Sequence, residues 1–322
     1  MSALSTRPIF LDDTTLYNHP GAHVLFVGTA AGAPLGAPFS VVLDATVAHA
    51  QGGGQPGDKG VLIFSDGTAA VFATARWGAG VDGGAIFHHG WRLDAEAAAR
   101  AAADPEAAAD AVGDSAPLGA VLEATSAVEI ASGATASVYI SRPFRTLCAA
   151  LHSAGHLLDA AVKRVVPVLA AALLPAGDAP PLLVGGKGNH FPTGPPSVEY
   201  VGGLPPPLLA SFIDAVNAQV DMLIAEGERT RVLLLSSRDE LPRVLSVANA
   251  DAVDGMDAGA LAAIDVQAFP ADKHLRIVAV GGADNVCPCG GTHVKNVQAL
   301  NGLRVTKVTS KKGVTKLSYE IK

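Results

Sequence analysis

Two histidines four residues apart, His152 and His156, lie in a segment whose apolar residues recur at helical intervals. Residues at that spacing stand about 40° apart around a helix and ~6 Å apart along it, so both imidazoles can reach one ion. Far along the chain, Cys289-Gly290-Gly291-Thr292-His293 places a thiol and an imidazole on a glycine-rich loop. Two donors plus two make a mixed nitrogen and sulfur set of the kind that suits tetrahedral Zn2+. Three neutral imidazoles and one thiolate would leave such an ion a net positive charge and Lewis acidity.

The helical pair alone says little. Ten histidines in 322 residues give roughly 0.3 such spacings by chance. His19-Pro20-Gly21-Ala22-His23 repeats the interval where proline and glycine make a turn. Hydrogen-bonded histidines beside an inert buried thiol therefore stand as the plainer alternative to a metal site. Zincin peptidases carry Glu directly after the first His; Ser153 occupies that position here, which excludes their chemistry.

A second motif, Gln51-Gly52-Gly53-Gly54-Gln55-Pro56-Gly57-Asp58-Lys59-Gly60, sits between two β segments. It lacks the Lys-Ser/Thr and the following helix of a phosphate-binding loop. It reads either as a wide hairpin loop or as backbone open to a ligand, with Gln55 offering a donor and an acceptor. Gly185-Gly186-Lys187-Gly188-Asn189-His190 poses the same question, and a flexible loop is expected there.

The elements that must position these residues follow from periodicity. Short strands are expected at Ala22–Gly28, Phe39–Leu43, Gly60–Phe64, Ala69–Phe72 and Gly84–His88, forming a small barrel or folded sheet. Asp94 to Gly113 turns to Ala with Asp and Glu, and reads as an exposed helix or floppy insertion. A strand over Ala127–Ile140 follows, and Ser141-Arg142-Pro143 marks a boundary. Beyond it come a helix Arg145–Leu174 interrupted near Pro167, a strand Ser197–Val201, a helix from about Pro207 to Glu226, and strands Arg231–Leu235 and Leu275–Val280. A terminal hairpin, Leu303–Val308 with Val314–Ile321, turns at Lys312-Gly313.

Composition bounds the class. With 49% apolar and 16% charged residues the chain is too apolar for disorder, and its glycines and prolines are scattered rather than periodic. Val165 to Leu174 is about half as long as a membrane crossing, so a buried helix and no membrane partner are expected. The N-terminus lacks a basic segment followed by an apolar run, which makes a cytoplasmic address the expectation. Three cysteines cannot build a disulfide framework. The net charge of −7 argues weakly against nucleic acid, although Lys295, Arg304, Lys307, Lys311, Lys312, Lys316 and Lys322 form a local basic stretch against Glu320.

Three segments taken in order, Gly52-Gly53-Gly54-Gln55-Pro56-Gly57-Asp58, His152-Ser153-Ala154-Gly155-His156-Leu157-Leu158 and Cys287-Pro288-Cys289-Gly290-Gly291-Thr292-His293-Val294, resemble the AlaX family of freestanding alanyl-tRNA editing proteins. That family is homologous to the editing domain of alanyl-tRNA synthetase, and its longer form is the better match. The similarity runs from about Leu16 to the C-terminus and includes Leu43-Asp44-Ala45-Thr46 and Val198-Glu199-Tyr200.

The resemblance implies an α+β fold. Residues 1–141 would form a β-barrel-like domain with the glycine-rich motif and an Ala-rich insertion near 94–113. Residues 142–322 would form a zinc-containing aminoacyl-tRNA editing domain, with an antiparallel sheet and long helices. The implied activity is ATP-independent hydrolysis of mischarged tRNA(Ala), chiefly Ser-tRNA(Ala) and also Gly-tRNA(Ala). His152, His156, Cys289 and His293 would bind Zn2+, with His152 and His156 also catalytic. Ser153, Gln55, Thr292, Gly53, Gly54, Gly290 and Gly291 are the candidates for substrate contacts, Ser153 as the partner of the serine hydroxyl.

Two departures stand out. Ser153 replaces a common Thr, keeping the hydroxyl and losing a methyl, and Arg142-Pro143-Phe144-Arg145 replaces paired arginines. The rival expectation is a non-catalytic, zinc-stabilised tRNA-binding or interaction module. The oligomeric state is left open, a monomer included.

Overall fold

The computed structural model describes residues 4–28, 34–78, 84–114, 120–121, 134–248, 252–271 and 273–322. The fold is mixed α+β, and the chain divides into two compact units, one of residues 1–52 with 56–147 and one of 53–55 with 148–322. The dividing point thus lies six residues after the expected 141, and Gly53–Gln55 belongs with the second unit.

In the first unit six antiparallel strands close a barrel. Their order is Phe39–Leu43, Asn18–Gly28, Thr135–Ile140, Gly60–Phe64, Ala69–Trp77 and Ile86–Leu93, and the last pairs back with the first. Period-2 alternation sorts the side chains: Leu62 and Phe64 join Val41, Leu43, Phe72, Ile86 and Val138 inside, while Val61 packs outside. Of the strand expected over Ala127–Ile140, residues 127–133 lie outside those described.

The Ala-rich segment corrects an expectation, because it is neither floppy nor wholly exposed. Helices Ala95–Ala103 and Pro105–Asp110 are capped by Asp94 and Asp104, which accept from the amides of Ala97 at 2.8 Å and Ala107 at 3.1 Å. Ala97, Ala98, Ala101 and Ala109 pack on Val61, Val71 and Trp91 of the barrel wall. Small side chains let these helices lie close, and the segment carried too little apolar contrast to show this in sequence.

Arg145, just before the unit boundary, is buried and holds Asp58 through a bidentate contact, while its Nη2 donates to the Val47 carbonyl at 2.7 Å. The amide of His49 donates to the same carboxylate at 2.7 Å. A buried charge needs such full pairing.

The helix Arg142–Leu173 is continuous through Pro167, contrary to the expected interruption. Pro167 lies on the exposed face, and Val165, Val166 and Ala170 stay buried on the other. Their burial offsets the lost hydrogen bond and ring clash, about 3 kcal/mol.

In the second unit the helix core, Leu157, Leu158, Ala161 and Val162, packs with Phe212, Val216 and Val220 of helix Pro206–Glu226 and with Tyr200, Leu303, Leu317 and Tyr319 of a four-stranded antiparallel sheet. That sheet runs Val184–Asn189, Ser197–Val201, Val314–Ile321, Leu303–Lys311. The segment read as a flexible glycine loop is therefore its edge strand. Lys312 and Gly313, with φ of 52° and 74°, make the two-residue turn of the hairpin.

Helix Pro206–Glu226 is long and apolar enough to cross a membrane by length and composition, and its stripe of Leu208, Phe212, Val216, Val220 and Leu223 is core. A second antiparallel sheet, Arg231–Leu235, Leu275–Ala279 and Val286–Pro288, has Leu275 and Ile277 facing a small separate core with Leu241 and Met256. Alternation sends Arg276 and Val278 to the opposite face.

Candidate metal centre

The register of Leu275–Ala279 with Val286–Pro288 ends at Cys289, whose amide donates to the Arg276 carbonyl at 2.9 Å. The buried Arg276 guanidinium returns two bonds, to the carbonyls of Cys289 at 2.7 Å and Gly291 at 3.0 Å. One side chain thus clamps the loop that carries two of the four expected ligands. Burial lowers the pKa of Arg276 and the Cys289 thiol opposes that.

His152 and His156 occupy successive turns of the long helix, with ring centroids 5.1 Å apart and planes at 19°. The ring of His293 lies 4.9 Å from the first and 5.2 Å from the second. Cys289 Sγ is 3.5 Å from His152 Nε2 and 3.7 Å from His293 Nε2. All four ligand atoms fall within 4.8 Å of one another. A tetrahedral zinc site with about 2.05 Å Zn–N and 2.3 Å Zn–S bonds needs S···N edges of about 3.5 Å. The residues fit a metal ion on chemistry as well as distance, because His156 Nε2 is buried with no hydrogen-bond partner among the described residues.

Gln55 fixes the first ligand. Its Oε1 accepts from His152 Nδ1 at 2.8 Å and from the Thr292 amide at 2.9 Å, and its Nε2 donates to Thr292 Oγ1 at 2.8 Å. A hydrogen on Nδ1 leaves the lone pair of His152 on Nε2, toward the cluster. Gly291 is required at this junction, since a Cβ there would run into the His152 ring and Gln55 Oε1. The glycine motif delivers Gln55: Gly53 and Gly54 have φ of 56° and 79°, and a Cβ at Gly54 would strike the Gly188 carbonyl.

The second ligand is held less tightly. His156 Nδ1 lies 3.8 Å from Asp159 Oδ2, and Asp159 Oδ1 accepts from the Tyr200 hydroxyl at 2.7 Å. Burial, then the neighbouring His190 and Arg276, pushes His156 down to about 4. Burial also raises the Cys289 thiol, against the pull of the Gly291 amide and Arg276. Cys287 is pushed up to about 12, chiefly by burial. The protein alone therefore favours a neutral His156 and a protonated Cys289 thiol, and a divalent ion is the group that would draw off the thiol proton.

A cleft of about 480 Å³ opens beside the cluster, lined by Gly53, Gly54, His152, His156, Cys289 and others. Its size suits a small ligand. Gln55, Ser153, Thr292, Gly290 and Gly291 are not among its lining residues. Ser153 is fully buried and accepts from the Val294 amide at 3.0 Å, and Thr292 is fully buried against Gln55. Their hydrogen bonds run to His152 and to the loop that carries Cys289 and His293. His19 and His23 lie on the barrel strand and are not members of the four-residue group.

Sequence reasoning missed His190, Asp159 and Arg276. His190 is buried, and its ring stacks on His152 at 4.8 Å. No protein-family model matches this chain, and no curated protein matches it.

Proposed function

We propose that this chain is a trans-editing hydrolase that deacylates mischarged tRNA(Ala), chiefly Ser-tRNA(Ala) and also Gly-tRNA(Ala), with Zn2+ held by His152, His156, Cys289 and His293. The observation that carries this reading is the convergence of those four donors, from one helix and one distant loop, beside an open cleft. The ordered glycine, histidine and cysteine-histidine motifs resembling AlaX proteins supply the substrate class.

An aminoacyl ester is already activated, so positioning and charge stabilisation carry most of the task and no covalent nucleophile is needed. When bound, Zn2+ supplies a Lewis acid at the ester. Gln55 keeps His152 in one tautomer, Arg276 fixes the Cys289 loop, and Gly53 with Gly54 leaves one wall bare. An adjoining cleft of about 440 Å³, walled by Val162, Val166, Pro180, Pro181 and Leu182, shares His156 and Asp159 and suits the apolar face of the terminal nucleoside.

Of the basic hairpin, Arg304, Lys316 and Lys322 pair with Asp221, Glu199 and Glu320. Lys307, Lys311 and Lys312 are exposed and have no ion-pair partner among the described residues, which leaves them for the tRNA backbone.

One observation favours the rival reading: four protein ligands are the closed set of structural zinc sites. A zinc-stabilised tRNA-binding or interaction module would use the same cluster without turnover. Incubation of zinc-loaded protein with seryl-, glycyl- and alanyl-tRNA(Ala) separates the two. Editing predicts rapid loss of the seryl and glycyl esters, sparing of alanyl-tRNA(Ala), and abolition by His152→Ala. Esters that survive with a folded, zinc-loaded protein would leave only the binding module.

A further inference from the structure

His190 stands outside the four ligands yet forms part of the cleft wall. Its ring lies 4.8 Å from that of His152, with the planes at 17°. Nδ1 is 2.7 Å from the Tyr319 hydroxyl, and that hydroxyl donates its own hydrogen to the Leu151 carbonyl at 2.8 Å. With the phenol hydrogen committed, Tyr319 can only accept from the imidazole. The hydrogen of His190 therefore sits on Nδ1 and the lone pair on Nε2. Nε2 has no hydrogen-bond partner among the described residues.

Three glycines make room for this ring. A Cβ at Gly155 would come 2.5 Å from His190 Cε1, one at Gly54 would come 3.1 Å from Cδ2, and one at Gly188 would overlap Nε2. They come from the glycine motif, the histidine helix and the edge strand, so distant segments omit side chains around one imidazole. Space alone would be filled as well by a phenyl ring. The Tyr319 bond adds what a phenyl ring lacks, a lone pair of fixed direction.

A lone pair cannot pair with a carboxylate or phosphate, so its partner must bring a hydrogen. The carboxylates of Asp159 and Glu199 line the same cleft against the ammonium of Lys187, a balance that favours a cationic donor. We propose that His190 Nε2 accepts a hydrogen bond from the α-ammonium group of a ligand whose acyl end lies at the His152, His156, Cys289 and His293 cluster, making His190 a determinant of specificity for aminoacyl over deaminated acyl groups. This rests on the aminoacyl-ester reading given above, and Tyr319 is a positioning residue for it.

The test compares full-length, zinc-loaded parent, His190→Asn and Tyr319→Phe proteins on seryl-tRNA(Ala) and on the same tRNA carrying 3-hydroxypropionate, which lacks the α-ammonium. A hydrogen bond to a charged group predicts that His190→Asn loses about 10- to 100-fold in kcat/KM on the seryl ester, and under about 3-fold on the analogue, with zinc content unchanged. Tyr319→Phe should shift the same ratio in the same direction and serves if His190→Asn does not fold. Equal losses on both esters, or no loss on either, overturn the proposal. Should the parent cleave no ester, the hydrolase reading falls and titration with the amide-linked serine conjugate of 3′-aminoadenosine decides this one. Binding weakened by His190→Asn sustains it; absent binding, or binding indifferent to the variant, removes it.

Discussion

Gln55 and His152, 97 residues apart in sequence, share a 2.8 Å hydrogen bond whose acceptor oxygen also takes the Thr292 amide. The glycine motif thus acts on the candidate metal centre through one amide side chain that orients His152 on the helix and fastens the loop carrying Cys289 and His293. Loss of such an orienting partner typically weakens metal affinity by about 10- to 100-fold. Gln55→Ala should show that loss in competition with a chromophoric chelator while far-ultraviolet dichroism stays that of the parent. An unchanged affinity would mean that the tautomer of His152 needs no partner.

Ser153 is expected to act through the same loop. Its hydroxyl oxygen accepts the Val294 amide at 3.0 Å, one residue after His293. Ser153→Ala strands that amide, at a cost of about 1–3 kcal/mol, without changing the cleft lining. The outcome expected is lower stability and, under the proposed editing function, equal slowing on seryl- and glycyl-tRNA(Ala). A selective loss on the seryl ester would instead restore Ser153 as the partner of the serine hydroxyl.

The barrel carries its own acid sensitivity. His88 is buried, its Nδ1 donates to the Val41 carbonyl at 3.1 Å, and its Nε2 accepts from Thr46 at 2.9 Å. Burial pushes it down to about 4, and neighbouring His89 is lowered likewise, chiefly by burial. An unfolded histidine titrates near 6.5, so between those values the unfolded chain binds more protons. The stability held in neutral His88 is full above about pH 6.5 and is lost as pH falls toward 4, at no more than about 1.4 kcal/mol per pH unit. Both tryptophans, Trp77 and Trp91, belong to this unit, so their fluorescence follows it in urea. His88→Gln should flatten the slope over that interval, and identical slopes in parent and variant would contradict the assignment.

Much of the scaffold was legible because short apolar, β-branched runs bounded by turn residues declare themselves as strands. Phe39–Leu43, Gly60–Phe64, Ser197–Val201 and Arg231–Leu235 have the bounds that their sequence suggests. The four donors were legible because each pair is local. The rest depended on contacts that no local pattern encodes. Gln55 meets Thr292 across 237 residues, and His190 meets Tyr319 across 129. A histidine without a partner at helical spacing carries no signal of its own. The glycines around His190 were visible as Gly54, Gly155 and Gly188, yet their common purpose appears only when three segments are brought together. Pro167 misled for a related reason, since which face it occupies is decided by packing.

X-ray absorption at the zinc edge, with metal analysis of the full-length protein and of Cys289→Ser, bears most directly on the convergence of helix and loop. One zinc per chain with three nitrogen donors and one sulfur donor is the expected result, and the sulfur shell should vanish in Cys289→Ser. A protein that takes up no zinc, or whose zinc sees no sulfur, would contradict the assignment of His152, His156, Cys289 and His293 as a single site.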